Sequence, residues 1–428
     1  MRNKEKVILI GLNIKGQNIE DYHDSMEELK LLAETADLEI IQIIIQNLTK
    51  PNISTFIGKG KLQEIYHLSK KLKSNTLVFN DNLTPAQARN ISNLTRCNVV
   101  DRTELILDIF AKHARTKQAK LQVELAQLEY SYTKLKRLWK HLSRIQGGIG
   151  FRGPGETQIE TDRREIRKRT SILKKKIKEI DKNTLIKRKK RSKFLSISMI
   201  GYTNAGKTTL FNKLTNEKLY TADKLFATLD STTRSLNLKS KEKIVLSDTI
   251  GFIKKLPHKL VSSFHSTLLE VLEADLLLHV IDISHPDLTD YIYSVNRVLQ
   301  EIGVEDKDIL CVFNKCDLIE EKLFPFLKKK MLEEHPDSIF ISAKNNDGID
   351  ILIDKIEEFV KRIKKEIILK IPAQLRKLIS FIYENAEVIE NKYENKSNEQ
   401  VFRLKIDKHL LTGIKKQVED FKLKEYLK

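Results

Sequence analysis

The chain has 428 residues and a formal net charge of +19, a length that predicts two or three domains, each with its own core. Its hydrophobic content of 40%, with 15 glycines and 8 prolines, is typical of a folded protein and not of a disordered one. No apolar run reaches the length of a membrane span, and residues 1–6 lack a signal-peptide core. The three cysteines, Cys97, Cys311 and Cys316, show no metal-binding spacing. We therefore expect a cytoplasmic protein.

Residues 1–112 are predicted to form a small α/β domain. Strand-like apolar runs cover Val7–Leu12, Leu38–Ile45, Thr76–Asn80 and Asn98–Asp101. Helix patterns follow Gly58-Lys59-Gly60 and Thr84-Pro85, and Ser25 with Glu28 fits a capping box at the start of another helix. This alternation of strands and helices predicts a mainly parallel sheet.

Residues 113–192 are predicted to form two long helices. A heptad seam comprises Leu121, Leu125, Leu128, Tyr132, Leu135, Trp139 and Leu142, and compatible spacing resumes from Ile159 to Ile180. Residues 146–155 between them hold five of the glycines. We expect an antiparallel coiled-coil hairpin whose first arm, Leu121–Ile145, spans roughly 35–40 Å.

Most of the positive charge lies in this helical region. Residues 112–191 contain 25 Lys and Arg against 8 Asp and Glu, a difference of 17. Such concentration indicates a polyanionic partner, with nucleic acid as the leading candidate. The predicted RNA-binding residues at the tip and its flanks are Arg144, Gly147, Gly148, Gly150, Arg152, Gly153, Gly155, Arg163 and Arg164. A tip that only connects the helices is the alternative.

Residues 193–364 contain a phosphate-binding loop. The segment Gly201–Thr208 fits G-x-x-x-x-G-K-[ST] between a strand-like run and a helix pattern. Its glycines allow backbone N–H groups to face phosphate oxygens, and the following helix adds its positive end. Lys207 supplies a charge to the outer phosphates, and the Thr208 hydroxyl is placed to bind Mg²⁺.

Three later segments occur in the order that a GTP-binding domain requires. Asp248-Thr249-Ile250-Gly251 ends a strand-like run, where Asp248 is predicted to hold Mg²⁺ through water and Gly251 to approach the γ-phosphate. In Asn314-Lys315-Cys316-Asp317, the last carboxylate can accept two hydrogen bonds from guanine, and adenine lacks that pair of donors. Ser342-Ala343-Lys344 fits a further base-contacting loop. The predicted nucleotide is GTP.

The tail, residues 365–428, is predicted to be a small α+β module. It shows helix signals at Gln374–Asn385 and Leu410–Phe421, and strand signals at Glu387–Tyr393 and Val401–Ile406.

The chain resembles the HflX family of ribosome-associated GTPases. The resemblance rests on Phe56–Lys61, Phe79–Asp81 with Pro85–Gln87, Val100–Thr103, Lys120–Gln127, Gly147–Gln158, Glu160–Arg164, Phe226–Asp230 and Asp248–Phe252. It implies a GTPase that binds the large ribosomal subunit and splits or rescues stalled ribosomes under stress. It also implies that the hairpin tip enters the peptidyl-transferase region.

The resemblance completes the predicted nucleotide site. Phe226, Ala227, Thr228, Leu229 and Asp230 match the switch segment, in which Thr228 is predicted to bind Mg²⁺, with Thr232 and Thr233 as alternatives. The full predicted GTP-binding set is Gly201, Tyr202, Thr203, Asn204, Ala205, Gly206, Lys207, Thr208, Thr209, Phe226–Asp230, Asp248, Thr249, Ile250, Gly251, Asn314, Lys315, Cys316, Asp317, Ser342, Ala343 and Lys344.

Phe252 stands where many GTPases carry the glutamine that orients the attacking water, so we expect slow intrinsic turnover. Asn204 matches a position that coordinates K⁺ in some related GTPases, and a hydrogen bond within the loop is the alternative.

Other functions remain open at this point. The chain could be an RNA-binding, RNA-remodelling or ribosome-assembly GTPase that uses GTP as a switch. A role in tRNA modification is disfavoured because we find neither a catalytic cysteine nor a methyl-carrier domain. Gly58-Lys59-Gly60 could contact a second nucleotide, although a helix-start turn is the simpler interpretation. The internal hairpin favours a monomer over dimerisation through the coiled coil.

Overall fold

The computed structural model describes residues 4–406 except 17–18, 146–153, 192–193, 218–224, 227–230, 241, 254–264, 305–306 and 395–397. Three sheets of four, six and three strands organise it. None of the helices in these ranges is both long and apolar enough to cross a membrane.

The N-terminal domain is a parallel α/β unit, which confirms the predicted sheet. Its elements are β1 (Lys6–Ile14), α1 (Ile19–Thr35), β2 (Glu39–Leu48), α2 (Lys59–Leu72), β3 (Thr76–Phe79), α3 (Pro85–Thr95), β4 (Asn98–Asp101) and α4 (Arg102–His113). The strand order is β2-β1-β3-β4, and every pairing is parallel. Both faces are covered by helices, as the continuous apolar runs of such strands require.

The capping box predicted at Ser25 and Glu28 is wrong. Helix α1 begins at Ile19, so both residues lie inside the helix, where they are buried. The Ser25 hydroxyl accepts a hydrogen bond from Asn80 Nδ2 at 2.9 Å, and Glu28 forms an ion pair with Arg102. These two polar residues are placed to bind partners that are distant in sequence, and they do not cap the start of a helix.

The helical region contains α5 (Lys117–Ile145) and α6 (Pro154–Arg191), which pack along each other. Their contacts run in opposite directions: Gln118 Nε2 donates to Asp181 Oδ1 at 3.0 Å, whereas Arg167 Nε donates to Tyr132 Oη at 2.9 Å. Leu173 of α6 is fully buried. Of the predicted glycine-rich tip at 146–155, residues 146–153 lie outside the described residues, and the last two residues begin α6.

Helix α5 buries a second face that the heptad analysis did not identify. Ala119, Val123 and Ala126 are at most 4% exposed and belong to the core shared by α1 and α4. Their spacing of four and three residues places them on one helix face. The first half of α5 is therefore anchored to the N-terminal domain.

Residues 196–363 form a mostly parallel α/β domain around the phosphate-binding motif, as predicted. Its elements are β5 (Ser196–Ile200), α7 (Lys207–Thr215), β6 (Thr232–Asn237), β7 (Lys243–Asp248), α8 (His265–Glu273), β8 (Leu276–Asp282), α9 (Leu288–Glu301), β9 (Asp308–Asn314), α10 (Phe324–Glu334), β10 (Ile339–Phe340) and α11 (Ile349–Ile363). The strand order is β10-β9-β8-β5-β7-β6, in which β6 pairs antiparallel with β7 and the other pairs are parallel.

The C-terminal part contains β11 (Lys365–Pro372), α12 (Arg376–Asn385), β12 (Glu387–Glu394) and β13 (Glu399–Ile406). The antiparallel sheet has the order β11-β13-β12. Strand β11 was not predicted, although its apolar residues alternate and Ile367, Leu369 and Ile371 are buried. The helix predicted at Leu410–Phe421 lies outside the described residues.

The first turn of helix α3 is held by a hydrogen-bonded cap whose contribution can be tested. The Thr84 hydroxyl accepts from Gln87 N at 3.2 Å, and Gln87 Oε1 accepts from Thr84 N at 2.9 Å, forming a reciprocal cap. Thr84→Ala should cost about 1 kcal/mol of local stability and speed amide exchange in the first turn of α3 about fivefold. Hydrogen-exchange mass spectrometry measures this, with Thr84→Ser as the control. Equal exchange in the alanine and serine variants would show that the cap contributes nothing.

Candidate nucleotide site

The predicted nucleotide-binding segments meet at one edge of the six-stranded sheet. They follow the carboxyl ends of β5, β7, β9 and β10, where ligands of open parallel sheets bind. Segments far apart in sequence are thus brought together by the strand order alone.

Lys207 is held inside the loop that precedes α7. Its Nζ donates to the carbonyl oxygens of Gly201 at 3.1 Å and Tyr202 at 2.7 Å. Burial lowers the pKa of Lys207 to about 8, an effect that the nearby Asp248 carboxylate opposes. The ammonium group is therefore positioned by backbone dipoles in an environment that favours an added anion.

Gly206 and Asn314 bring two of the loops into close contact. Gly206 has φ +91°, and a Cβ atom there would lie 2.2 Å from Asn314 Nδ2. The Asn314 amide donates to Ala205 O at 2.8 Å and accepts from Ala343 N at 2.9 Å. This single side chain ties together the phosphate loop and two loops predicted to contact the base.

The residues present fit a Mg²⁺ ion. Thr208 Oγ1 donates to Asp248 Oδ2 at 2.8 Å, and Asp248 is fully buried at the end of β7. A hydroxyl and a carboxylate beside a phosphate site are the oxygen ligands that Mg²⁺ prefers. The two groups hydrogen-bond each other in this structure.

Gly251 lies against the phosphate loop, and Phe252 is joined to the loop through its backbone. A Cβ atom on Gly251 would lie 2.8 Å from Thr203 Cα and 3.0 Å from Lys207 Nζ. Phe252 N donates to Gly201 O at 3.1 Å, and Phe252 O accepts from Thr203 N at 2.8 Å. The ring of Phe252 is 3% exposed and packs in an apolar core beneath the loop.

The base-contacting loops also touch each other. The Ser342 hydroxyl donates to Asp317 Oδ1 at 2.5 Å, which orients a carboxylate that is otherwise exposed. Lys315 has φ +66° and forms a 2.7 Å ion pair with Asp282 at the end of β8. Cys316 is half-buried and donates its backbone N–H to Ile341 O at 3.2 Å. Lys344 is exposed.

Some predicted site residues have a different environment. Phe226, predicted to contact GTP, is 2% exposed, and its ring packs edge-on against Phe110 of α4 with 4.6 Å between centroids. Thr249 directs its hydroxyl to Met199 O at 2.5 Å. Both side chains serve the protein core, because apolar packing and an internal hydrogen bond engage them. Ala227, Thr228, Leu229 and Asp230 lie outside the described residues.

The predicted RNA-binding residues are only partly described. Arg144 and Gly155 lie in helices α5 and α6, and Arg163 is half-buried and Arg164 exposed on α6. The remaining members, Gly147, Gly148, Gly150, Arg152 and Gly153, fall within the gap at 146–153.

Sequence reasoning missed the residues that surround Tyr202. The Tyr202 hydroxyl donates to Glu28 of α1, and its ring stacks on Tyr291 of α9 with 3.8 Å between centroids. Tyr291 lies far from any motif, and the capping-box pattern that included Glu28 gave no indication of its contact with Tyr202.

Family models match three successive parts of the chain. "GTP-binding GTPase N-terminal" covers residues 23–111, and "GTP-binding GTPase Middle Region" covers 113–191. "50S ribosome-binding GTPase" covers 196–315.

Curated relatives match across most of their length. The GTPase HflX of Flavobacterium psychrophilum is 43% identical over 84% of this chain and 92% of the relative. That of Caldanaerobacter subterraneus subsp. tengcongensis is 42% identical over 92% and 90%, and that of Escherichia coli K12 is 42% identical over 84% and 85%. A crystal structure of SsGBP with GDP is 29% identical over 84% of this chain and 99% of that chain, with a TM-score of 0.47. At these identities and coverages, the chain belongs to the HflX family and is a GTPase.

Proposed function

We propose that this protein binds the large ribosomal subunit, hydrolyses GTP there, and splits or rescues stalled ribosomes under stress. The observation that carries the proposal is the attachment of a strongly basic helix pair to a GTPase domain through a shared core. Residues 112–191 hold 25 of the 77 basic residues, and α5 is anchored in the core that also contains Tyr202 of the phosphate loop.

We infer the following roles at the nucleotide. Lys207 pairs with the outer phosphates, and Asp317 with Asn314 and Ser342–Lys344 selects guanine. Thr208, the switch residue Thr228 and, through water, Asp248 hold Mg²⁺, which supplies charge neutralisation on the phosphates when bound. The geometry that supports this is the contact of Thr208 with Asp248 and the bridging amide of Asn314.

Hydrolysis needs help from outside the loop. The Phe252 ring is buried in the core and has no group that can orient water, so the activating contribution comes from the ribosome in this proposal. Asn204 lies in the phosphate loop with φ +62°, and its side-chain amide oxygen is the K⁺ ligand in this proposal.

The helix pair is proposed to be an antiparallel coiled-coil hairpin that contacts ribosomal RNA. A groove between α5 and α6 is lined by Arg167, Lys174, Lys175 and Lys178 of α6 and by Glu129 of α5, which pairs with Lys174 at 2.8 Å. The excess of positive charge along this groove suits a phosphate backbone. We accordingly divide the chain into an N-terminal domain (1–112), the hairpin (113–192), the GTPase domain (193–364) and a C-terminal module (365–428). We propose a cytoplasmic monomer.

The guanine assignment is tested at Asp317. Asp317→Asn removes the charged acceptor and should weaken GTP binding by about 2–4 kcal/mol, or roughly 30- to 700-fold. Asp337→Asn, the same change at the opposite edge of the sheet, is the control. Competition titrations with GTP and ATP measure the effect. Equally tight binding of both nucleotides by the unmodified protein would refute guanine selection.

Activation is tested by turnover assays. Large ribosomal subunits should raise the GTP hydrolysis rate at least roughly tenfold, because in this proposal they supply the water-orienting group that Phe252 lacks. The stimulated rate should be higher in K⁺ than in Na⁺, and Asn204→Ala should remove that difference. Rates unchanged by subunits would contradict ribosomal activation, and rates equal in both salts would contradict the K⁺ site.

The hairpin tip is tested by replacement of Gly147–Gly155 with a short neutral linker. GDP binding should persist because the nucleotide site lies in another domain, whereas subunit co-sedimentation and ribosome splitting should be lost. Arg163→Ala with Arg164→Ala is the companion variant that separates flanking charge from the tip itself. A linker variant that binds and splits ribosomes like the parent would show that the tip is only a connector.

A further inference from the structure

The GTPase domain and the N-terminal domain share one apolar core. Tyr202, Leu225, Phe226 and Ile253 pack in the cluster that contains the buried faces of α1, α4 and α5. Leu225 N also donates to Thr35 Oγ1 of α1 at 3.2 Å. The phosphate loop and the residues next to the switch segment are therefore in direct contact with the N-terminal domain.

Tyr202 links this interface to the phosphate-binding lysine. Its carbonyl oxygen accepts from Lys207 Nζ at 2.7 Å, while its hydroxyl donates to Glu28. Its ring is 6% exposed and lies nearly parallel to that of Tyr291, at 12°. Stacking and a hydrogen bond to a carboxylate thus restrict the residue that holds Lys207.

Glu28 is itself held on its other side. Its second carboxylate oxygen pairs with Arg102, which also donates to Asn80 Oδ1 at 2.8 Å and to Ser25 O at 3.3 Å. Glu28 is 5% exposed and Arg102 2%. Charge-assisted hydrogen bonds between such buried groups have a defined geometry. Removing one partner of a buried ion pair lowers the stability of the protein, because the other charge is left unpaired.

Next to Arg102 in the chain, Asp101 contacts helix α5. The preceding residue, Asp101, caps α4 by accepting from Glu104 N at 3.0 Å. Its other oxygen accepts from the Tyr130 hydroxyl of α5 and lies 3.5 Å from Lys134 Nζ. Polar contacts therefore run from the phosphate loop through Glu28 to Arg102, and the peptide bond between Arg102 and Asp101 joins them to the contacts with α5.

We propose that Glu28 is a positioning residue for the nucleotide site, supplied by the N-terminal domain through Tyr202, and that Arg102 and Asp101 couple nucleotide binding to α5. The inference rests on the proposed phosphate role of Lys207. It assigns a nucleotide-site function to a residue in another domain. By linkage, if the bound nucleotide changes the affinity of α5 for a ligand by some factor, that ligand must change the affinity for the nucleotide by the same factor.

The decisive variant is Tyr202→Phe, which deletes the hydroxyl and keeps the stacked ring. We expect the Kd for fluorescent GDP and the KM for GTP to rise about three- to tenfold, the net size of one typical intramolecular hydrogen bond, with kcat changed less than about twofold. Tyr293→Phe, at an exposed tyrosine in α9, is the matched control. A purely structural role would instead lower kcat through loss of folded protein.

Glu28→Gln and the double variant complete a mutant cycle. If Glu28 acts through Tyr202, adding Tyr202→Phe to Glu28→Gln should weaken GDP binding by much less than it does in the unmodified protein. Fully additive effects would overturn the proposed route. Thermal unfolding of each variant identifies loss of folding, and Tyr202→Phe keeps the test valid if Glu28→Gln does not fold.

Coupling to α5 has its own measurement. Nucleotide addition should change hydrogen exchange around Tyr130–Lys134 in the unmodified protein, and this response should shrink at least threefold in Tyr202→Phe at saturating nucleotide. Unchanged GDP affinity together with an unchanged exchange response in this variant overturns the inference. Failure of the unmodified protein to bind GDP would instead overturn the proposed nucleotide site.

Discussion

The nucleotide site depends on the close approach of loops from three strands, and the Asn314 amide is the contact that joins them. It donates to the phosphate loop and accepts from the Ser342–Lys344 loop, at a point where Gly206 leaves no room for a side chain. Because parallel strands end at the same edge of a sheet, residues more than a hundred positions apart can be tied by one side chain. Such a bridge lets phosphate and base recognition act as one rigid unit.

Much of this arrangement could be predicted from sequence because its signals are local. Buried parallel strands are short apolar runs, and the loops that follow them carry residues chosen for phosphate, Mg²⁺ and guanine chemistry. The four strands of the N-terminal sheet and the strands that precede the nucleotide-binding loops were therefore located, whereas β6 and β8, which no motif follows, were not predicted. The segments after β5, β7, β9 and β10 occupy the same edge because these four strands run parallel in one sheet.

The sequence was less informative wherever a side chain is determined by a distant partner. Ser25 and Glu28 have the spacing of a helix cap, yet they are interior residues that bind Asn80 and Arg102. The seam assigned to α5 omitted the face that packs on α4, because one helix can serve two neighbours. Phe226 is the first residue of the predicted switch segment, but its ring packs against Phe110 of the N-terminal domain. Periodicity and motifs identify which residues are buried or reactive, but they do not identify the residues that these side chains contact.

The position of Phe252 has a consequence for how this enzyme could change over evolution. Its backbone is tied to the phosphate loop, while its ring fills a core with Ile200, Val271 and Leu277. A glutamine introduced there by a single replacement would enter that apolar core, at a cost of about 1–3 kcal/mol for an unpaired amide. A glutamine that could orient water at this position would therefore also need compensating changes among the apolar side chains that pack around Phe252. Packing of this core would thus maintain the proposed dependence on an external activator.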